Sequence, residues 1–277
     1  MDTVIGLGGA GCSIAELFKK YPQYSVYKID VGEDGENCYD FSEQNSPELY
    51  ERNTPNMEQF LRRVDGDVLF VVAGGGKISG ASLRILQQLK NCNINILYIK
   101  PDNKDLNNTG YLQNKLTYNV FQEYARSGLF ERIFIISNSD LENAIGDVSI
   151  LDYKKKLNEY LTSIIHYINV FNNTEPVVDN REEPRVTSRI ATIGVHDLKT
   201  DDEIDLFPIE NVTDKCYYYA INENALKTDG KLLKKIKEHI SKNDVRASYE
   251  IHSTKHPESF CYYISYSNSI QPLDSTD

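Results

Sequence analysis

Val4-Ile5-Gly6-Leu7-Gly8-Gly9-Ala10-Gly11 joins a short apolar run to a helical pattern through the spacing G-x-G-x-x-G. Glycines at such a strand-to-helix junction permit a tight turn and let backbone amides and a helix N-terminus come close to a phosphate. Asp30 closes the second strand about 20 residues later, where a dinucleotide fold places its ribose acid. Taken alone, the stretch suits a nicotinamide or flavin dinucleotide, and a purely structural glycine turn is the alternative.

A second junction changes that balance. Asp67-Val68-Leu69-Phe70-Val71-Val72 is a buried-type strand that runs into Ala73-Gly74-Gly75-Gly76-Lys77-Ile78-Ser79-Gly80 and then a helix. Two glycine loops, each leading from strand to helix, cradle two or three phosphates through their N–H groups. That suits a mononucleoside triphosphate better than a dinucleotide. The order G-x-x-x-x-G-K-[ST] of a Walker A loop is absent. Lys77 reads either as a surface charge or as a phosphate-facing one.

Outward from these loops, short β-rich runs alternate with helical segments, the pattern of a parallel sheet covered on both faces. Strands are expected at 3–6, 24–30, 67–72, 94–99 and 132–137, with helices at 11–20, 57–64, 80–89 and 112–126. Residues 31–55 read as a polar surface excursion with room for a short helix. From Ser149 to Phe171 the apolar positions Ile150, Leu151, Leu157, Leu161, Ile164, Ile165, Ile168 and Phe171 keep helical spacing. A helix of that length spans about 35 Å, enough to cross a domain. The last third changes style, with strands at 189–195, 215–221, 245–252 and 259–265, a helix at 230–241 and an acidic loop at 197–205. The fold class predicted is α/β: a Rossmann-like nucleotide-binding domain over 1–172 including the long helix at about 149–171, a linker loop at 173–186, and a smaller α+β domain over 187–277.

Composition bounds the function. The 277 residues carry 30 Lys and Arg against 41 Asp and Glu, a net charge of −11, which argues against binding a nucleic-acid backbone. The mean hydropathy of −0.47 and the absence of any apolar run near 18 residues argue against a membrane span. The start does not resemble a signal peptide, and after Ser265 only a short polar tail is expected. Cys12, Cys38, Cys92, Cys216 and Cys261 are odd in number and form no CxxC or zinc spacing, which reads as free thiols in a reducing cytoplasm. His166 is expected to pack on the long helix, and His196, His239, His252 and His256 show no ligand spacing. The basic run Lys231, Lys234, Lys235, Lys237 reads as a solvated helix face, with a partner surface as the alternative.

In order and spacing these landmarks resemble the tubulin/FtsZ family. That family has a GxGGxG-type loop after the first strand, a Gly-Gly-Gly-Thr-Gly-Thr-Gly signature after the fourth, and a long central helix leading into a smaller α+β domain. The resemblance runs through Gly6–Gly11, Gly74–Gly80, Lys100-Pro101, Asn138-Ser139-Asp140-Leu141 and Ser149-Ile150-Leu151-Asp152. It implies that the amides of Gly8, Gly9, Ala10 and Gly11 hold the α and β phosphates of GTP or GDP, with Cys12 nearby. It also implies that Gly74, Gly75, Gly76, Lys77 and Ser79 face the β and γ phosphates. Asn138 would contact guanine or ribose, Asn158 and Glu159 would read the base edge, and Tyr153 would stack on it, although Lys154 falls at the family's aromatic position. Mg2+ would accompany a triphosphate. The resemblance further implies head-to-tail self-association, with acids after the central helix of one subunit, here Asp179, Glu182 and Glu183, completing a GTPase site on the next. Those acids lack the family's Asn-x-Asp-x-x-Asp arrangement, and a solvated acidic linker is the plainer reading of them. Lys77, Ile78 and Ser79 replace Thr, Gly and Thr of the signature. Ile78 supports a second reading, a tubulin-like scaffold that has lost efficient hydrolysis or nucleotide binding. A nicotinamide-type enzyme, the third, leaves the second loop, the long helix and the α+β tail unexplained.

Overall fold

The computed structural model describes residues 1–89 and 91–273. The first half runs β1 (Thr3–Leu7), α1 (Gly8–Phe18), β2 (Ser25–Asp30), β3 (Cys38–Asp40), α2 (Pro47–Arg52), α3 (Glu58–Leu61) and β4 (Asp67–Ala73). A 3-10 turn at Lys77–Ala81 leads to α4 (Ser82–Leu86), β5 (Asn93–Lys100), α5 (Asn108–Arg126), β6 (Arg132–Ser137), α6 (Asn138–Ile145) and α7 (Tyr153–Asn172). Then follow β7 (Val178–Asp179), β8 (Ile190–His196), β9 (Glu203–Asp205), β10 (Val212–Asn222), α8 (Glu223–Thr228), α9 (Leu232–Ser241), β11 (Arg246–Thr254) and β12 (Phe260–Ser267).

One sheet carries all the strands in the order β3-β2-β1-β4-β5-β6-β8-β12-β10-β11-β7, with β9 on β8. Pairing is parallel from β3 to β8 and mixed beyond. Period-2 alternation splits the first strands between two faces. Val4, Leu69, Val71 and Leu97 face α1 and α7, while Ile5, Val68, Phe70 and Val72 face α4 and α5. Burying each Ile, Leu, Val or Phe there is worth about 1.5–3 kcal/mol.

The central helix α7 lies between sheet regions: Leu157, Leu161, Ile164, Ile165, Ile168 and Phe171 pack in one cluster with Leu97 of β5 and with Tyr218 and Ile264 of the second half. Its start differs from expectation. Ser149 to Asp152 form a turn in which the Asp152 N–H donates to Ser149, and Ile150 and Leu151 stand 94% and 97% exposed. The apolar run therefore extends one turn beyond the surface available to bury it. Elsewhere local caps explain the shifts. The Asn107 side chain accepts from Gly110 N–H and starts α5 at Asn108 rather than Leu112. The 31–55 excursion holds edge strand β3 as well as α2, whose Ser46 cap and Pro47 were legible signals.

The segment after β12 is not a free polar tail. It returns to the first half, where Gln271 and Gln122, both fully buried, exchange two amide hydrogen bonds of 2.7 and 3.3 Å. Tyr118 donates to Pro272 O, and Leu273 joins the cluster around α5. Residues 274–277 lie outside the described residues.

Candidate nucleotide-binding site

The first glycine loop is the start of α1. Leu7 is the N-cap residue, no side chain caps the helix, and its first turn holds no acid. The amides of Gly8, Gly9 and Ala10 are thus left at the positive end of the helix dipole without side-chain partners among the described residues, while Gly11 N–H is the first to bond within the helix. Gly9 and Ala10 are exposed, and Gly8 and Gly11 are buried. Gly8 has φ +71°, and a Cβ on Gly11 would lie 2.5 Å from Val71 O, so neither position accepts a larger residue. Cys12 points away from this face, its thiol donating to Gly6 O at 3.4 Å and Ile29 O at 3.6 Å. Burial pushes its pKa up to about 12, which keeps it a thiol at neutral pH. Asp30 stands beside the loop, one oxygen 3.7 Å from where a Gly9 Cβ would be, and burial raises its pKa. A carboxylate there opposes a bare phosphate and suits a hydroxyl or a bridging cation.

The second loop follows β4, the parallel neighbour of β1, with Leu7 beside Val72. Both loops therefore leave the same sheet edge. Gly74 donates to Ile99 O and lies under Tyr98 and Asn114, which are hydrogen bonded at 2.6 Å and tie the loop to α5. The pair carries no mark in the sequence, because only tertiary packing brings β5 and α5 together at that point. Gly75 has φ +81°, and Gly76 is exposed with open space around it. Ser79 is buried, donating to Gly76 O at 2.6 Å and accepting from Gln113 at 3.0 Å, so its hydroxyl holds the turn. Lys77 is exposed and forms no ion pair among the described residues. Ile78 sits between the loops, its Cγ2 2.8 Å from where a Gly8 side chain would begin.

The remaining positions flank this edge. Asn138 opens α6 after β6 and is half-buried. Tyr153 donates to Glu142 at 2.8 Å; burial and this carboxylate raise its pKa to about 12. Asn158 is half-buried and has no hydrogen-bond partner among the described residues. Glu159 pairs within its own helix, with Lys156 at 3.6 Å and Lys155 at 4.0 Å. His166 stacks on Tyr21 at 3.5 Å, and Asn169 donates to Met1 O, which fixes the register of α7 against the sheet. Asn158 and Glu159 thereby lie about two turns nearer the glycine-loop edge than His166.

Asp179, Glu182 and Glu183 lie at the opposite pole. Strand β7 pairs with β11, placing Asp179 beside Glu250. Glu182 pairs with Arg246 at 3.2 Å and Glu183 with Arg181 at 3.3 Å. Arg181 and Glu183 share a cavity of about 330 Å³ with Met1 and Asp67, at the N-terminal ends of β1 and β4. The length of α7, about 30 Å, separates these acids from their own glycine loops.

No family model and no curated protein sequence matches the chain. Solved structures do. A GTPγS-form protofilament of TubZ from Bacillus thuringiensis serovar israelensis superposes with a TM-score of 0.74 at 15% identity, covering 97% of this chain and 87% of that one. CetZ from Methanosaeta thermophila gives 0.70 at 14% identity, with 97% and 87% covered. An empty FtsZ dimer from M. jannaschii gives 0.63 at 12% identity, with 96% and 87% covered. The chain has a tubulin/FtsZ-like fold.

Proposed function

We propose that the chain binds GTP or GDP at the glycine-loop edge and assembles head to tail, the acidic segment of one subunit completing a slow GTPase site on the next. The observation that carries the nucleotide reading is the uncapped start of α1, three amides free of side-chain partners among the described residues beside a second glycine loop. Gly8 to Gly11 would take the α and β phosphates, Gly74 to Gly76 with Lys77 the β and γ phosphates, and Asn138, Tyr153, Asn158 and Glu159 the nucleoside. Ser79 contributes through the turn it holds. Asp30, beside the first loop, would be the nearest carboxylate to a Mg2+ bound with a triphosphate, whose charge that ion would neutralise. TubZ and CetZ2 from Haloferax volcanii are found as GTPγS-form or GTPγS-bound protofilaments, which supports self-association here.

Phosphoryl transfer depends on positioning and electrostatics, so a lone subunit lacking the partner's acids has an incomplete site. Two observations favour the scaffold reading instead: Ile78 fills space between the loops, and Glu182 and Glu183 are engaged in ion pairs.

Ala10→Asp separates folding from binding. An acid in the first turn of α1 interacts favourably with the helix dipole, by about 0.3–1 kcal/mol, yet repels phosphate. The expected outcome is an unchanged or higher Tm with loss of fluorescent GTP binding. A wild-type chain that binds no guanine nucleotide, or a variant that binds it undiminished, overturns the nucleotide reading. Pelleting with GTP against GDP then tests assembly.

A further inference from the structure

The second half holds a side-chain cluster that the nucleotide reading does not use. His196 ends β8, Asp201 sits in the loop to β9, and His239 lies in the last turn of α9. His196 Nε2 is 3.1 Å and His239 Nδ1 3.0 Å from the same oxygen, Asp201 Oδ1. The two imidazoles stack with centroids 3.9 Å apart, and their side chains are 3% and 11% exposed. Asp201 adopts φ +67°, while Asp197 accepts from Lys199 and Thr200 amides, so the loop is folded to present that carboxylate.

The far nitrogen of His239 shows what lies between these groups. Its Nε2 is 3.1 Å from Glu203 Oε1, a carboxylate already held by Lys215 and Tyr217, each at 2.6 Å. An ionised carboxylate only accepts, so Nε2 carries the proton, and in a neutral ring Nδ1 is a bare lone pair. That lone pair faces another acceptor, Asp201 Oδ1, at 3.0 Å. Such a contact needs a positive charge between its partners, either a proton or a metal ion. An imidazole whose second N–H donates to a carboxylate is the usual arrangement of a metal-ligating histidine.

We propose that His196 Nε2, His239 Nδ1 and Asp201 bind one divalent first-row transition ion of the zinc class. Two imidazoles and a carboxylate match the borderline preference of zinc and disfavour magnesium and calcium, which prefer oxygen ligands. The fourth position opens to water in an adjoining cavity of about 470 Å³ that these three residues help to line. Lys242 holds the other carboxylate oxygen, Oδ2, at 2.8 Å, leaving Oδ1 for the ion. Ligation moves the His196 proton to Nδ1, which is buried without a partner among the described residues, so the site is weaker than a closed four-ligand zinc site. The bound ion fastens the β8–β9 loop to α9.

The test is calorimetric titration of the full chain with zinc sulfate, alongside cobalt(II) absorption. The expected result is one ion per chain, a zinc-dependent rise in Tm, and a cobalt spectrum lacking thiolate charge-transfer bands. His239→Gln and Asp201→Asn should each weaken binding about tenfold or more and abolish the Tm rise. Should His239→Gln fail to fold, Asp201→Asn, in an exposed loop, decides. No zinc binding by the wild-type chain at micromolar concentration overturns the proposal and leaves a proton on His239. Undiminished binding by a folded variant, or a thiolate band from the cysteines, overturns it equally.

Discussion

Ile78 packs directly over Gly8. The φ of +71° requires glycine at 8, and Ile78 Cγ2, 2.8 Å from the start of any side chain there, is a further contact that would have to shift. Under the proposed nucleotide reading, the Ile78 side chain occupies space through which a phosphate would approach the first loop. Ile78→Gly is expected to strengthen GTP binding several-fold while costing about 1–2 kcal/mol, from lost half-buried packing and added chain freedom. Fluorescent nucleotide titration and urea unfolding measure the two effects separately; weaker GTP binding in a folded variant would show that Ile78 supports the loop rather than crowds it. At this scale the glycine spacing was legible, because tight turns demand glycine wherever they occur. The inward commitments of Cys12 and Ser79 were not, because a hydroxyl or thiol near a loop carries no mark of the direction it faces. Nor were the Lys155 and Lys156 pairings of Glu159, which compete with any base it would read.

Among the elements, β7 is the shortest strand described, yet it is latched to β11 at both of its ends. Val177 and Asn180 donate to Ile251 O and Tyr249 O, and Arg181 reaches Glu250 at 3.2 Å. Burial pushes the Glu250 pKa up, but His252 and Arg181 pull harder, and the carboxyl ends below its ordinary value. A folded-state pKa below the unfolded one gives stability that is present above the ordinary carboxylate range and lost as pH falls through the depressed value. Protection factors at Val177 and Asn180, exchange rates corrected for the intrinsic effect of pH, should therefore be high at neutral pH and fall in acid. Arg181→Ala should lower them at neutral pH, with little further effect once Glu250 is protonated, and destabilise by about 2–3 kcal/mol, less than breaking a fully buried pair because Arg181 is partly exposed. Unchanged exchange in the variant would assign the latch to the backbone bonds alone. Two paired residues leave no periodicity, so the segment reads as a linker. The opposite holds for α7, whose apolar stripe was plain in sequence; only its first turn was overextended, because Ile150 and Leu151 keep the spacing without a surface to meet.

For the whole molecule, the parallel sheet dictates polarity. Loops that follow parallel strands gather at one edge, and α7 carries the chain back to the other, so glycine loops and linker acids belong to opposite poles. That arrangement was legible as an order of motifs, since alternating strands and helices determine it, whereas the mixed pairing of the second half depends on long-range contacts. If the acids act on a neighbour, an Asp179, Glu182, Glu183 triple-alanine variant and Ala10→Asp should each be inactive as GTPases, yet complement when mixed. In a random equimolar head-to-tail filament about a quarter of interfaces join an intact nucleotide loop to intact acids. Phosphate release from the mixture at no more than the sum of the separate variants would remove the linker acids from the mechanism. The return of residues 270–273 to α5 bears on synthesis. Leu273 and Gln271 complete a core that begins with Ile5 and Leu7, so the first half cannot close its packing until these residues have been made. Nascent chains stopped after Ser267 should remain protease-sensitive around α5, and chains extended through Leu273 should not. Equal resistance of the two would mean that the first half matures without waiting. Resistance confined to the longer chains would mean that the core stays unfinished until residues 270–273 are made, a timing imposed by four residues rather than by either half alone.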